Sequence, residues 1–143
     1  MRYMLLVKAD ERSEAGELPS REMLAEMGRF NDEMIKAGVM LAGDGLQPSS
    51  KGVRIDFTGD RPKVIDGPFT EAKELVAGFW IIQVKSREEA IEWASRAPFK
   101  EGVLEVRQVY EVTDFPADVL PPEEAAREQA FRDEQQAKAQ QGG

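Results

Sequence analysis

Residues 64–84 read VIDGPFTEAKELVAGFWIIQV, and two features of this stretch decide the fold. The first is Asp66-Gly67. An Asp-Gly pair between apolar residues usually marks a two-residue hairpin turn. Here Pro68 follows, where the turn needs an N–H donor that proline lacks. Pro68 also drives Gly67 towards extended geometry. Asp66-Gly67 is therefore not read as a tight hairpin. The second feature is Val76–Val84, VAGFWIIQV, a strand with almost no polar alternation. A strand of that kind sits inside a sheet with both faces covered.

Working outward, RYMLLVK at 2–8 reads as another strand that is apolar on both faces, followed by a polar loop, ADERSEAGE. Met23, Met27, Phe30, Met34 and Ala37 recur at steps of three and four, which predicts a helix with one apolar face. Gly38 stops it at C′. VMLAG is the next strand and DGLQPSSKG a loop. In VRIDFTGDRPKVID the alternation of Val53, Ile55 and Phe57 with Arg54 and Asp56 predicts a hairpin turning at TGDRP. SREEAIEWASRAP is a second helix, with Ser86 and Glu89 at capping-box spacing and Ala90, Trp93, Ala94 and Ala97 on one face. VLEVRQVYEV is the last strand.

With the hairpin set aside, the order is strand–helix–strand twice over. That is the split βαβ pattern of a ferredoxin-like α+β sandwich. This topology puts its first and third strands at the centre of the sheet, and YMLLV and AGFWII are the most apolar of the four. Two helices on one face cannot cover Phe79, Trp80, Ile81 and Ile82 together. An exposed apolar patch of that size marks an interface. The expectation is a homodimer joined through its sheet faces as an α/β barrel, with Trp80 in the dimer core or walling a pocket. Residues 1–115 form the domain. Residues 116–143 are a proline-punctuated linker and a charged segment of high helix propensity with Phe131 as its one large apolar residue. Such a helix is marginal in isolation, and is expected to be frayed and solvated, or else docked through Phe131.

Composition narrows the functions. The net charge of −8 is wrong for nucleic acid and for anionic membranes. The chain has no cysteine, so no thiolate chemistry, and no histidine, the commonest proton carrier near neutral pH. No signal peptide or membrane-length segment is visible, and the cytoplasm is the expected location. No acidic loop has the spacing of a metal site, and Gly43–Gly45 lacks the rest of a dinucleotide fingerprint. No cofactor is expected.

VIDGPFTEAKELVAGFWII resembles the signature of the DGPF group within the YciI-like (YCII-related) family, and AGVMLAGDGLQPSSKGVRI resembles the same group's upstream motif. The likeness spans 1–115. It implies a dimeric ferredoxin-like fold with a pocket near the sheet–sheet interface, and gene neighbourhoods shared with extracytoplasmic-function sigma factors. The YciI branch pairs a helical His with a loop Asp as a dyad. The corresponding positions here are Met27 and Asp66, so that dyad cannot operate.

Two readings of Asp66 stand side by side. It caps the turn by accepting from the Phe69 and Thr70 amides, or it aims a carboxylate into the pocket, with Gly67 admitting a ligand to the backbone. Asp44 is a turn residue; near Asp66 the two carboxyls would form an acid–base pair without histidine. Arg54 is either a solvated charge or the clamp for an anionic substrate. Ser49 and Ser50 form the turn or donate to the ligand. Glu71, in a charge run with Lys73 and Glu74, belongs to a solvated loop or is a further substrate contact. Three classes of function compete: a histidine-free isomerase or lyase acting on a small anionic metabolite, a non-catalytic binding module, and an accessory protein in a sigma-factor pathway. Small-anion binding at the dimer interface with weak catalysis ranks first and the accessory role second.

Overall fold

The computed structural model describes residues 1–141, apart from the side chains of Lys73, Gln140 and Gln141. A four-stranded antiparallel sheet is built from β1 (Arg2–Lys8), β2 (Met40–Gly45), β5 (Val76–Gln83) and β6 (Leu104–Gln108) in the order β2-β5-β1-β6. The two most apolar strands are central, as the ferredoxin-like order requires. Between β2 and β5 the chain throws out a separate two-stranded ribbon, β3 (Val53–Asp56) and β4 (Lys63–Asp66), whose turn passes through Gly59 at φ +101°.

Alternation along β5 sorts its side chains. Gly78, Trp80 and Ile82 face the helices, and so do their partners Val7, Leu5 and Tyr3 on β1. Two helices close this face: α2 (Arg21–Lys36), capped by Ser20 and ended at Gly38 with φ +71°, and α3 (Arg87–Ser95), capped by Ser86. Phe30 and Met34 of α2 and Ala90 and Trp93 of α3 complete the core. Leu5, Met34 and Ile82 are fully buried, each contributing about 1.5–3 kcal/mol relative to an exposed position. Trp80 therefore belongs to the core of the single chain, not to a dimer core. Its ring meets Phe30 edge-on at 5.4 Å, and its indole N–H donates to Asn31 Oδ1 at 2.9 Å.

Met4, Leu6, Phe79 and Ile81 lie on the opposite face, ringed by Arg2, Lys8, Asp44, Gln83, Glu105 and Arg107 in cross-strand register. One end of that face is crossed by α4 (Pro122–Gln141), which runs along β2 and the single turn at Val112–Asp114. The charged segment is thus a docked helix among the described residues, but Phe131 does not dock it. Phe131 stays 57% exposed, while Ala125, Arg132, Gln136 and Ala139 form the half-buried stripe. Their spacing of seven, four and three keeps them on one face of the helix. No described helix is long and apolar enough to cross a membrane.

Candidate functional site

The site grows from the loop at the end of β2. Past Gly45 the chain is held to the sheet by the Leu46 N–H donating to Ala77 O at 2.8 Å. It then tightens into a 3-10 turn, Ser49–Lys51, behind Pro48. The polar segment expected to be a loop after β1 is instead a single helical turn, α1 (Glu11–Glu14). Asp10 caps it by accepting from the Ser13 N–H at 2.8 Å, and the Asp10 N–H donates to Ser13 Oγ at 3.0 Å. That reciprocal cap makes so short a helix worth forming, and the Ser13 amide holds the Asp10 carboxyl below its ordinary range.

The consequence of α1 is Glu14. Its carboxylate accepts the Ser49 N–H at 3.0 Å and the Ser49 hydroxyl. With its proton directed to Glu14, Ser49 Oγ accepts the Phe69 N–H at 3.0 Å. Gly67, just beyond β4, donates to Gly52 O at 3.0 Å. The path of Asp66-Gly67-Pro68 now has its reason. The segment is not a hairpin turn. It lays the returning strand down on the Ser49–Gly52 loop, with a cis peptide between Gly67 and Pro68. A Cβ at Gly67 would stand 1.8 Å from Ser49 O and 2.7 Å from Ser49 C, so only glycine permits the contact. The loop motif and the DGPF motif, apart in sequence, are one structural unit. Arg54 completes it, with its guanidinium carbon 3.8 Å from the centroid of the Phe69 ring, a cation–π contact.

The candidate residues fall as follows. Asp66 is exposed at the end of β4, opposite Val53, while Arg54 stands opposite Ile65. Successive residues of a strand alternate faces, so the Asp66 and Arg54 side chains leave the ribbon on opposite sides. The Phe69 amide goes to Ser49 and not to Asp66, and among the described residues Asp66 accepts no hydrogen bond. Asp44 lies on edge strand β2 opposite Phe79, on the sheet face away from α2 and α3. No hydrogen bond among the described residues joins it to Asp66. Ser50 is exposed within the 3-10 turn. Glu71 is exposed, and its carbonyl accepts the Glu74 N–H at 2.9 Å to start the turn Ala72–Glu74. The Lys73 side chain lies outside the described residues. No group of three or more acidic side chains placed to hold a metal ion occurs among the described residues.

Sequence reasoning missed Glu14, because nothing local announces that a carboxylate on a four-residue helix will meet a serine 35 positions away. The Asp10–Ser13 spacing could have indicated the helical turn, but not its partner. The Phe69 amide was expected to donate to Asp66 and donates to Ser49 instead, and no sequence signal pointed to the Phe69 ring as the surface beneath Arg54.

Two comparisons with known proteins bear on this unit. An uncharacterized protein of Rhizobium meliloti (strain 1021) is 28% identical over 112 residues, covering 75% of this chain and 90% of the relative. The profile of the YCII-related domain matches residues 1–113, which takes in the whole sheet, α1 to α3, the ribbon and both motifs of the junction. The chain belongs to the YCII-related domain family.

Proposed function

We propose that the protein is a cytoplasmic homodimer that binds a small anionic molecule where the Ser49–Gly52 loop meets the Gly67–Phe69 segment. Residues 1–115 act as the binding domain and 116–143 as an appendage. The observation that carries this reading is Arg54. Its guanidinium is stacked on Phe69 yet the residue is exposed, so a planar cation is held in place without being spent on a carboxylate. That suits it to hold a carboxylate or an enolate oxygen. Ser49, Ser50 and Glu71 lie on the same and adjoining turns, and Gly67 seats the returning segment on the Ser49 backbone, which fixes these turns beside Arg54. Asp66 leaves the ribbon on the side away from Arg54, so the base for weak isomerase- or lyase-type chemistry on a ligand held there comes from a second copy of the chain, through Asp66 or Asp44.

The dimer reading is supported by the ribbon. A two-stranded hairpin is marginal in water by itself, yet Val64 is 67% exposed beside its cross-strand partner Ile55, and Phe57, just beyond β3, is 75% exposed. A second copy covering this strip and the Met4–Phe79 half of the sheet face would bury it. The accessory reading draws on a different patch, Val119, Leu120 and Phe131 beside α4, which suits a protein partner of the kind a sigma-factor pathway would supply.

The test is calorimetric titration of the full chain with a panel of small mono- and dicarboxylates, repeated on Arg54→Ala and Asp66→Asn. Binding that is lost in Arg54→Ala while the fold survives supports the site. Binding unchanged in Arg54→Ala, or no binding by any panel member, refutes it. Sedimentation showing a stable monomer at micromolar concentration refutes the dimer.

A further inference from the structure

A second concavity lies at the other end of β2, beneath α4, with a volume of about 580 Å³. Leu41, Ala42 and Ile81 contribute its apolar floor, and Gln129, Arg132 and Gln136 its polar roof. That volume is within the range of small-ligand sites. The roof is built by a helix beyond residues 1–113, the part of the chain matched to the family.

Two features of this space are unresolved by the protein itself. Arg132 Nε is buried and has no hydrogen-bond partner among the described residues, and its Nη2 reaches Glu128 only at 3.6 Å. A buried guanidinium N–H without an acceptor is costly. The other arginine lining the space, Arg2, is already committed: its Nε donates to Glu111 Oε1 at 2.9 Å, and its Nη2 to Glu111 Oε2 and to Tyr110 O at 3.3 Å each. Lys138, also in the lining, reaches Glu134 at 3.1 Å, so among the described residues of the roof the unmet hydrogen bond lies at Arg132. The second feature is the inner stripe of α4. It offers Ala125, Arg132, Gln136 and Ala139 to an apolar floor, so the helix spans hydrocarbon without contributing any large apolar side chain of its own.

We infer that this cleft is a binding site for an amphiphilic carboxylate, with the acid head on Arg132 and a short hydrocarbon chain on Leu41, Ala42 and Ile81. The Arg132 side chain is 32% exposed while its Nε is closed off, so a carboxylate engages the guanidinium from the cleft, and a small rotation of the side chain onto it gives Nε the acceptor it lacks, in a charge-assisted bond. The chain supplies the apolar contact missing between α4 and the sheet. An inorganic anion would leave the floor bare, and a neutral lipid would leave Nε unpaired. The site is separate from the Ser49–Gly67 junction, since the start of β2 forms the one and the end of β2 leads to the other.

The experiment titrates the full chain with octanoate, acetate and 1-octanol, following the Ala42, Ile81 and Ala139 methyl signals by NMR. Octanoate should bind saturably, and both acetate and 1-octanol at least about tenfold more weakly. Arg132→Gln, which barely changes helix propensity, should weaken octanoate by about tenfold or more, and Ala42→Leu should block it by filling the floor. If Ala42→Leu fails to fold, Arg132→Gln carries the decision. Octanol binding as tightly as octanoate, octanoate unaffected by Arg132→Gln, or no saturable binding at millimolar concentrations overturns the inference. So does loss of octanoate binding in Arg54→Ala with retention in Arg132→Gln, which would move the ligand to the Ser49–Gly67 junction.

Discussion

Replacing Gly67 with alanine tests the claim that two sequence motifs form one unit by backbone contact. The new Cβ would lie 1.8 Å from Ser49 O, where ordinary van der Waals contact begins at 3.4 Å. The clashing atoms are backbone of a 3-10 turn pinned by Glu14, not the flexible end of a side chain. Either the strain of overpacking is retained, about 1–3 kcal/mol, or the segments part. Parting loses the Gly67–Gly52 and Phe69–Ser49 hydrogen bonds, at about 1 kcal/mol each. Both routes give a loss of about 2 kcal/mol. Urea denaturation followed by tryptophan fluorescence measures the total, and hydrogen exchange at the Phe69 amide reports whether the segments have separated. Gly28→Ala is the control. It lies mid-helix with nothing within 4 Å of the added Cβ, and should stabilise by about 0.5–1 kcal/mol. A Gly67→Ala protein within about 0.5 kcal/mol of the parent, with the Phe69 amide still protected, would refute the reasoning.

Other outcomes follow from the same geometry. Asn31→Ala leaves the buried Trp80 indole N–H without its acceptor, and should cost about 1–2 kcal/mol in urea midpoint analysis; a neutral result would mean water replaces Asn31. Asp10 and Asp56 have carboxyls lowered by Ser13 and Thr58 respectively. A depressed pKa contributes stability above the unfolded value of about 3.9 and loses it as pH falls through the folded value. NMR titration of the Ser13 and Thr58 amides should therefore give midpoints below about 3.9, and midpoints at or above it would contradict these caps. Ending the chain after Pro121 should lower the thermal midpoint by only a few degrees, as expected for about 1 kcal/mol or less, because α4 docks through alanine, glutamine and one arginine; a collapse in solubility would show that α4 covers a surface the body needs.

What the sequence determined by itself was everything governed by local period and by punctuation. The unalternating Val76–Val84 run identified a central strand, and the three- and four-residue steps from Met23 to Met34 identified the long helix. Gly38 and Ser86 marked helix ends, and Pro68 ruled out a hairpin at Asp66-Gly67. Those signals lie within a few residues of what they specify, and the strand order followed because few topologies place such elements without leaving an apolar centre exposed. Tertiary structure alone decided the contacts. Alternation of β5 around a sheet covered by helices on one side sent Trp80 inward and Phe79 outward, which an unbroken apolar run cannot reveal. Glu14 met Ser49, and Ser49 met Phe69, because a short helix, a loop and a returning strand converge in space. α4 docked by a polar stripe and left Phe131 in solvent, since the face a helix presents depends on where its linker delivers it as well as on where its largest apolar residue lies. Chemistry at the junction belongs to this second kind of knowledge: it rests on approaches of about 3 Å between segments, and a sequence records distance along the chain, not across it.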